Sequence, residues 1–240
     1  DNPWWGEHVH RYEVALSYLS PGSSVLDIAC GSGFGSYLLA KNGHTVNGAD
    51  LSEETILQCN QEFQHPQLKY TKADATKLPF PDEHYDAVVS FETIEHTRQY
   101  LEVLQEFKRV VKKNGIILIS TPNILVNSPD GVVRNPYHTQ EWNYRELNDL
   151  LLATYPSVKI YGQSYSRYNG KSGIKNKLAK LTENTLYLRG IRKLPLGIQN
   201  GLMQSLINKP MYPLASDYSM VSEQKEIEAC KTFFAVCRLK

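Results

Sequence analysis

Five side chains in two short stretches could move a proton or hold a cation. FETIEHT carries Glu92, Glu95 and His96, and NPYHTQEW adds His138 and Glu141. If a helical turn starts after Phe91, then Glu92, Glu95 and His96 stand at i, i+3 and i+4 on one face. His96 and His138 are then the candidate general bases, and Glu95 is the candidate that orients one of them. Glu92, Glu95, His96 and His138 also make a suitable oxygen and nitrogen ligand set for a divalent ion such as Mg²⁺ or Mn²⁺. The plainer alternative is that the glutamates serve a helix start and His138 anchors its loop.

A second group of residues surrounds a glycine turn in VLDIACGSGFGSYLLAKNGHTVNGAD, residues 25–50. No GK[ST] ending follows Gly31, so a P-loop for ATP is excluded. Gly31, Gly33 and Gly35 give GxGxG, with Ser36 where a dinucleotide turn would place its third small residue. Asp50 ends the next apolar run about 20 residues on, where a carboxylate accepts both ribose hydroxyls of NAD or of S-adenosylmethionine. Asp27 would repel a pyrophosphate, but it suits the cationic methionine end of S-adenosylmethionine. Asp74, closing the third apolar run, could accept from an adenine amino group. The plainer role for each aspartate alone is a cap on the following helix.

These residues need a frame. Apolar, β-rich runs at 24–29, 44–50, 68–74, 85–91 and 115–121 alternate with helical stretches near 35–42, 53–63 and 98–112. In the last of these, Leu101, Leu104, Phe107 and Val111 form an apolar stripe, and Gly115 is expected as its C-cap. Regular alternation implies parallel strands with right-handed crossovers. A long loop at 121–142, a helix at 144–153 and strands at 158–163 and 232–239 complete the core, with an insertion at 164–220 before the last strand.

VLDIACGSGFGS, VNGADLS, ADATKLPFPDEHYDAVVSFETIEH and VVKKNGIILISTPN resemble the successive motifs of class I S-adenosylmethionine-dependent methyltransferases over residues 24–123. The resemblance implies a Rossmann-like α/β fold, with a seven-stranded, mostly parallel sheet and an antiparallel last strand. It also implies that Ala29, Gly31 and Gly33 line the methionine moiety and that Asp50 holds the ribose. Leu51 packs on adenine, Asp74 and Ala75 meet its edge, and Ser90 and Phe91 line the sulfonium. EHVHRYEVA is similar to the entry helix of bacterial members, from which Arg11 or Tyr12 would reach the methionine carboxylate. ExxEH with a downstream His resembles both the metal-using small-RNA 2′-O-methyltransferases and the ubiquinone-pathway O-methyltransferases. The combination with STPN and NPYHTQEW is most similar to bacterial methyltransferases of surface glycans and secondary metabolites, which implies O-methylation of a sugar, free or carried on a nucleotide or lipid diphosphate. A membrane quinone or phenol, an amine acceptor, RNA, and a catalytically silent cofactor-binding subunit are the alternatives.

Composition narrows the partners. At 240 residues the chain is expected to form a single domain, 1–240, with the insertion as an appendage. A net charge of +1 gives no global attraction for nucleic acid, and none is expected as a partner. Cys30, Cys59, Cys230 and Cys237 lack metal or disulfide spacing and read as buried thiols in a cytoplasmic protein. The opening DNPWWGEH has no signal-peptide core, and the absence of an initiating Met leaves room for upstream residues. From 164 to 209 the insertion carries Arg167, Lys171, Lys175, Lys177, Lys180, Arg189, Arg192, Lys193 and Lys209 against Glu183 alone. Ile174, Leu178, Leu181, Leu188 and Ile191 recur on one helical face. Three roles follow: a solvated helix pair, a cationic lid for an anionic acceptor, or an element lying on the inner membrane surface.

Overall fold

The computed structural model describes residues 5–167, 174, 177–181 and 195–240. The chain divides into two compact units, residues 11–164 with 220–240, and residues 1–10 with 165–219. The helices are α1 Trp5–Leu16, α2 Phe34–Lys41, α3 Glu53–Glu62, α4 Tyr100–Val110, α5 Ile124–Asn127, α6 Tyr144–Thr154, α7 Leu196–Ile207 and α8 Gln224–Glu228. The strands are β1 Ser24–Ile28, β2 Thr45–Asp50, β3 Leu68–Lys72, β4 Tyr85–Phe91, β5 Val111–Pro122, β6 Ser157–Tyr165, β7 Tyr218–Val221 and β8 Thr232–Arg238.

These strands form one sheet in the order β3-β2-β1-β4-β5-β8-β6-β7. Pairing is parallel from β3 through β5 and antiparallel where β8 meets β5 and β6. The mostly parallel sheet with its reversed last strand is as expected, but it has eight strands rather than seven. The added strand is the four-residue YSMV of β7, too short to show a period in sequence. From Ile116 on, β5 is buried at every position, because parallel strands are covered on both faces. β1 and β2 lead to one side of the sheet and β4 to the other. Their carboxyl ends therefore border the crevice where ligands enter such sheets.

Two helix-level expectations are corrected. The buried stripe of α4 is Val103, Leu104, Phe107 and Val110, whereas Leu101 faces solvent. Nor does Gly115 cap α4. The helix stops at Val110, Val111 turns extended, and Gly115 lies within β5, where a Cβ would come 2.7 Å from the Asp86 carbonyl oxygen. The register slips there, between Tyr85 and Ala87, so VKKNG, residues 111–115, is a bulged strand start.

The smaller unit has its own polar and apolar centres. Asp217 is fully buried, paired with Arg167 at 3.8 Å and with Lys209, and Arg167 also donates to the Met211 and Pro210 carbonyls. Ala179, Met203 and Met211 form a buried apolar cluster beside α7. Of the insertion's expected features, Lys171, Lys175, Leu188, Arg189, Ile191, Arg192 and Lys193 lie outside the described residues.

In the larger unit, α2 must approach α1 closely. A Cβ on Gly35 would sit 1.8 Å from the Tyr12 ring, so only glycine lets that ring pack there. Helix propensity alone would make Gly35→Ala stabilising by about 1 kcal/mol. Overpacking against Tyr12 acts the other way, and we expect a net loss of about 1–3 kcal/mol in urea unfolding. The loss should disappear in a Tyr12→Ala background. A stabilised Gly35→Ala protein would show that the contact is not tight.

Candidate functional site

The backbone leaving β1 is forced into a tight turn. Ala29, Gly31 and Gly33 all adopt left-handed angles, with φ of 59°, 52° and 80°. The two glycines are there for different reasons. At Gly31 a Cβ would meet nothing within 4 Å, so the conformation is what selects glycine. At Gly33 a Cβ would also strike the Cys59 sulfur and the Tyr70 hydroxyl, each at 2.7 Å. Tyr70 donates to the Gly33 carbonyl at 2.8 Å and Cys59 donates to the Gly31 carbonyl at 3.2 Å, which locks the turn from β3 and α3.

Asp50 closes this turn. Its Oδ2 accepts from the Gly31 N–H at 3.1 Å and its Oδ1 from the Ser52 N–H at 3.0 Å. The carboxylate is thereby fixed at the mouth of the turn, with its remaining lone pairs free to accept hydroxyls. Leu51 next to it is 66% exposed, an apolar face open to a flat ring. Asp74 is more committed locally, since its Oδ1 accepts both the backbone N–H and the hydroxyl of Thr76, which holds its pKa low. Ala75 beside it is partly exposed.

Asp27 lies beneath the turn, buried, and accepts from Ser36 Oγ at 2.6 Å and from the Tyr12 hydroxyl at 3.1 and 3.2 Å. Burial pushes its pKa up to about 7, against the lowering effect of those two hydroxyls. A cation brought to the turn would favour the ionised form. Arg11, 1% exposed, donates to Gln163 Oε1 at 2.9 Å and stands 3.9 Å from Glu92 Oε1. Tyr12 is thus committed to Asp27, and Arg11 lies on the acidic side of the crevice.

Glu92, Glu95 and His96 do not share a helical face. Glu92 is left-handed at φ 54°, and only Ile94–His96 forms a 3₁₀ turn. The Glu92 N–H is held by the Ser120 carbonyl at 3.0 Å, and its Oε1 accepts the Ser120 hydroxyl at 2.7 Å. Ser90 and Phe91 are buried just before it, with Phe91 edge-on to Tyr12.

The loop before α6 completes the cluster. Thr139 donates its N–H and hydroxyl to the Glu95 carbonyl, and Gln140 donates to the Thr97 carbonyl. This docking brings His138 edge-on to His96, with ring centroids 4.8 Å apart. The Tyr137 carbonyl, 3.0 Å from His96 Nδ1, can only accept, so Nδ1 carries the proton and Nε2 the lone pair. That Nε2 is 3.9 Å from Glu95 Oε1. His138 is engaged at both nitrogens, Nδ1 with Glu141 Oε1 at 2.7 Å and Nε2 with the Asn135 amide at 2.8 Å. Its side chain is 11% exposed against 43% for His96. Glu95 is fully buried; Oε2 accepts from Thr121 at 3.0 Å, and Oε1 has no hydrogen-bond partner. Burial first, and Glu92 second, raise its pKa well above the ordinary range.

Among the described residues, donor atoms of Glu95, His96 and His138 lie within 4.8 Å of one another, and Glu92 is not in that set. One carboxylate and two imidazoles suit a divalent transition ion. The partnerless Glu95 oxygen and His96, with Nδ1 anchored and Nε2 open, fit such an ion, whereas His138 would have to exchange the Asn135 amide at Nε2 for it. Sequence spacing offered Glu141 without a role; its position three residues after His138 was the available signal. Asn135, Ser36, Ser120 and Gln163 gave none.

Known proteins share this fold and part of this sequence. Residues 26–119 match the family model of the methyltransferase domain. A protein of Mycolicibacterium smegmatis named "probable S-adenosylmethionine-dependent methyltransferase" is 34% identical over 152 residues, covering 63% of this chain and 58% of that one. The 2-methyl-6-phytyl-1,4-hydroquinone methyltransferase of Synechocystis is 36% identical over 147 residues, covering 50% and 46%. The chain thus spans little more than half the length of the first relative and less than half of the second. In fold, a solved S-adenosylmethionine-dependent methyltransferase of Archaeoglobus fulgidus superposes with a TM-score of 0.61 at 21% identity, over 96% of this chain and 93% of that one. Over residues 26–119 the chain is thus similar to the methyltransferase domain, and it shares the fold of S-adenosylmethionine-dependent methyltransferases.

Proposed function

We propose that the protein transfers the methyl group of S-adenosylmethionine to an acceptor oxygen, with a sugar hydroxyl on a lipid or nucleotide carrier as the acceptor. The observation that carries oxygen transfer is the orientation of His96: its protonated Nδ1 is tied to a carbonyl and its Nε2 lone pair faces the Glu95 carboxyl. In the reaction the acceptor oxygen attacks the methyl carbon in line, the sulfonium C–S bond breaks, and His96 Nε2 takes the hydroxyl proton. The new imidazolium N–H then faces Glu95. His138, engaged at both nitrogens, positions the His96 ring rather than acting as the base.

On the cofactor side, Asp50 would accept the ribose hydroxyls, Leu51 would cover adenine, and Ala75 with the free oxygen of Asp74 would meet its edge. Ala29, Gly31 and Gly33 would bring backbone to the methionine moiety. Ser90 and Phe91 would line the sulfonium, and Arg11 would reach the carboxylate. Asp27 would supply negative charge below the methionine ammonium.

Two further readings have an observation behind them. The partnerless Oε1 of Glu95 favours a divalent cation held by Glu95, His96 and His138, which would lower the pKa of an aliphatic hydroxyl bound to it. The name of the Synechocystis relative favours a quinol acceptor, whose phenolic proton, with a pKa near 10, is within reach of a modest base.

Four outcomes are expected. Asp50→Ala should weaken S-adenosylhomocysteine binding about tenfold or more in calorimetry, and an unchanged affinity would remove the ribose assignment. Because ionised Asp27 attracts the ammonium, S-adenosylmethionine affinity should rise as pH passes upward through about 7. Asp27→Asn should flatten that rise; an equally steep profile in the variant would assign it elsewhere. His96→Ala should lower turnover of a radiolabelled methyl group, on a panel of lipid-linked sugars, nucleotide sugars and quinols, by roughly 10²–10⁴ with cofactor affinity kept. His138→Ala at equal cost would reject its secondary role. Finally, Mn²⁺ titrated into the chelator-treated S-adenosylhomocysteine complex should give a binding signal if the cation reading holds, and Glu95→Gln should abolish it. No signal from the unaltered chain would leave the histidine acting alone.

A further inference from the structure

We propose that the amino edge of the sheet holds a second small-molecule site, which takes a phosphate monoester of a sugar or small polyol. The proposal is independent of the acceptor reading, because this edge is opposite the one that carries the glycine turn and His96. A cavity of about 580 Å³ opens there, within the volume range of small-molecule sites. Its walls are the link from α1 to β1, the start of β4, the start of β5 and the end of β8, all in the larger unit.

Two departures from regular backbone build this cavity. Tyr85 pairs with Val111 and Ala87 with Ile116, so residues 112–115 all stand opposite Asp86. Bulges are rare in parallel pairs, and this one supplies Lys112, Lys113 and Asn114 to the cavity wall. Gly115 permits the bulge, since a Cβ there would come 2.5 Å from Val111 Cγ2. On the facing side Glu83 is left-handed at φ 50°, with its N–H fixed by the Arg109 carbonyl at 2.9 Å. That conformation is unfavourable for a residue with a side chain, and such strain concentrates where proteins bind ligands. Both departures border the same cavity.

The chemistry of the walls names the ligand class. Lys112 pairs with Asp86 at 2.8 Å and Lys113 with Glu83 at 3.3 Å, so these charges nearly cancel. Arg238 also lines the cavity, and it has no carboxylate partner among the described residues. Its guanidinium presents a fork of donors that matches phosphate oxygens, and each lysine ammonium keeps further donors to add. Glu83 and Asp86 can accept hydroxyls, and Ser20 and Asn114 offer side chains with no hydrogen-bond partner among the described residues. Half-buried Tyr18 and buried Ile116 give an apolar wall for the C–H face of a sugar or polyol. Inorganic phosphate would leave that wall and the carboxylates unused. A neutral sugar would leave Arg238 unmatched.

The test is titration calorimetry of ribose 5-phosphate into the full chain, with ribose and inorganic phosphate as comparisons. Ribose 5-phosphate should bind with a Kd of about 1 mM or tighter, and each comparison compound should bind roughly tenfold more weakly. Saturating S-adenosylhomocysteine should leave that affinity unchanged. Arg238→Gln should lose about tenfold, and Lys113→Gln severalfold. Both substitutions fall on exposed side chains, and urea unfolding checks that each variant folds. No binding of ribose 5-phosphate, equal binding of either comparison compound, or folded variants that bind like the parent would each overturn the proposal. So would competition by S-adenosylhomocysteine, because the ligand would then occupy the cofactor crevice. The ligand comparison uses the unaltered chain, so the outcome does not hang on a variant.

Discussion

Carboxyl groups crowded at one edge of a sheet repel one another and resist burial, and the larger unit is organised around holding four of them there. Asp27, Asp50, Glu92 and Glu95 all lie at or just beyond the carboxyl ends of β1, β2 and β4. Each is managed by a different means. Asp50 is solvated in part and takes two backbone N–H groups from the turn. Asp27 is buried and takes two hydroxyls, one reached only because Gly35 lets Tyr12 descend. Glu92 has Ser120 and the nearby Arg11 guanidinium. Glu95 is the least compensated, with one hydroxyl and one oxygen without a hydrogen bond.

That concentration of negative charge explains why the crevice suits a cationic cofactor better than a phosphate. A pyrophosphate at the glycine turn would face Asp27 from below and Asp50 from the side. A sulfonium with an ammonium would reverse the sign of both interactions, and would draw Asp27 toward its ionised form. The same helix-and-turn geometry serves either ligand class. The distinction lies in the side chains on the strands beneath it.

Beyond the end of β4, the loop over 135–142 gathers polar side chains into one cluster. By itself the 3₁₀ turn at 94–96 presents one exposed imidazole beside a buried carboxyl. Docking of Thr139 and Gln140 on the carbonyls of Glu95 and Thr97 adds a second imidazole, orients the first through the Tyr137 carbonyl, and brings Glu141 behind His138. Loop residues can be placed this accurately because their polar groups are spent on the backbone of the turn they cover.

The sequence by itself determined the alternation of strands and helices, the glycine turn and the carboxylates at strand ends. Those features are local: an apolar run, a residue tolerating positive φ and an acid at a fixed offset are visible in a few consecutive letters. It also singled out Glu95, His96 and His138 by residue type in two short stretches, but gave Glu92, Glu95 and His96 a shared helical face that the left-handed Glu92 rules out. Only the tertiary structure decided which histidine keeps an open lone pair, that Tyr12 and Ser36 hold Asp27, and that Glu141 stands behind His138. It also decided that β7 extends the sheet. These outcomes depend on contacts between segments far apart in sequence, such as His96 with Tyr137 or Arg11 with Gln163, and no local period encodes which of two similar side chains such a contact will leave free.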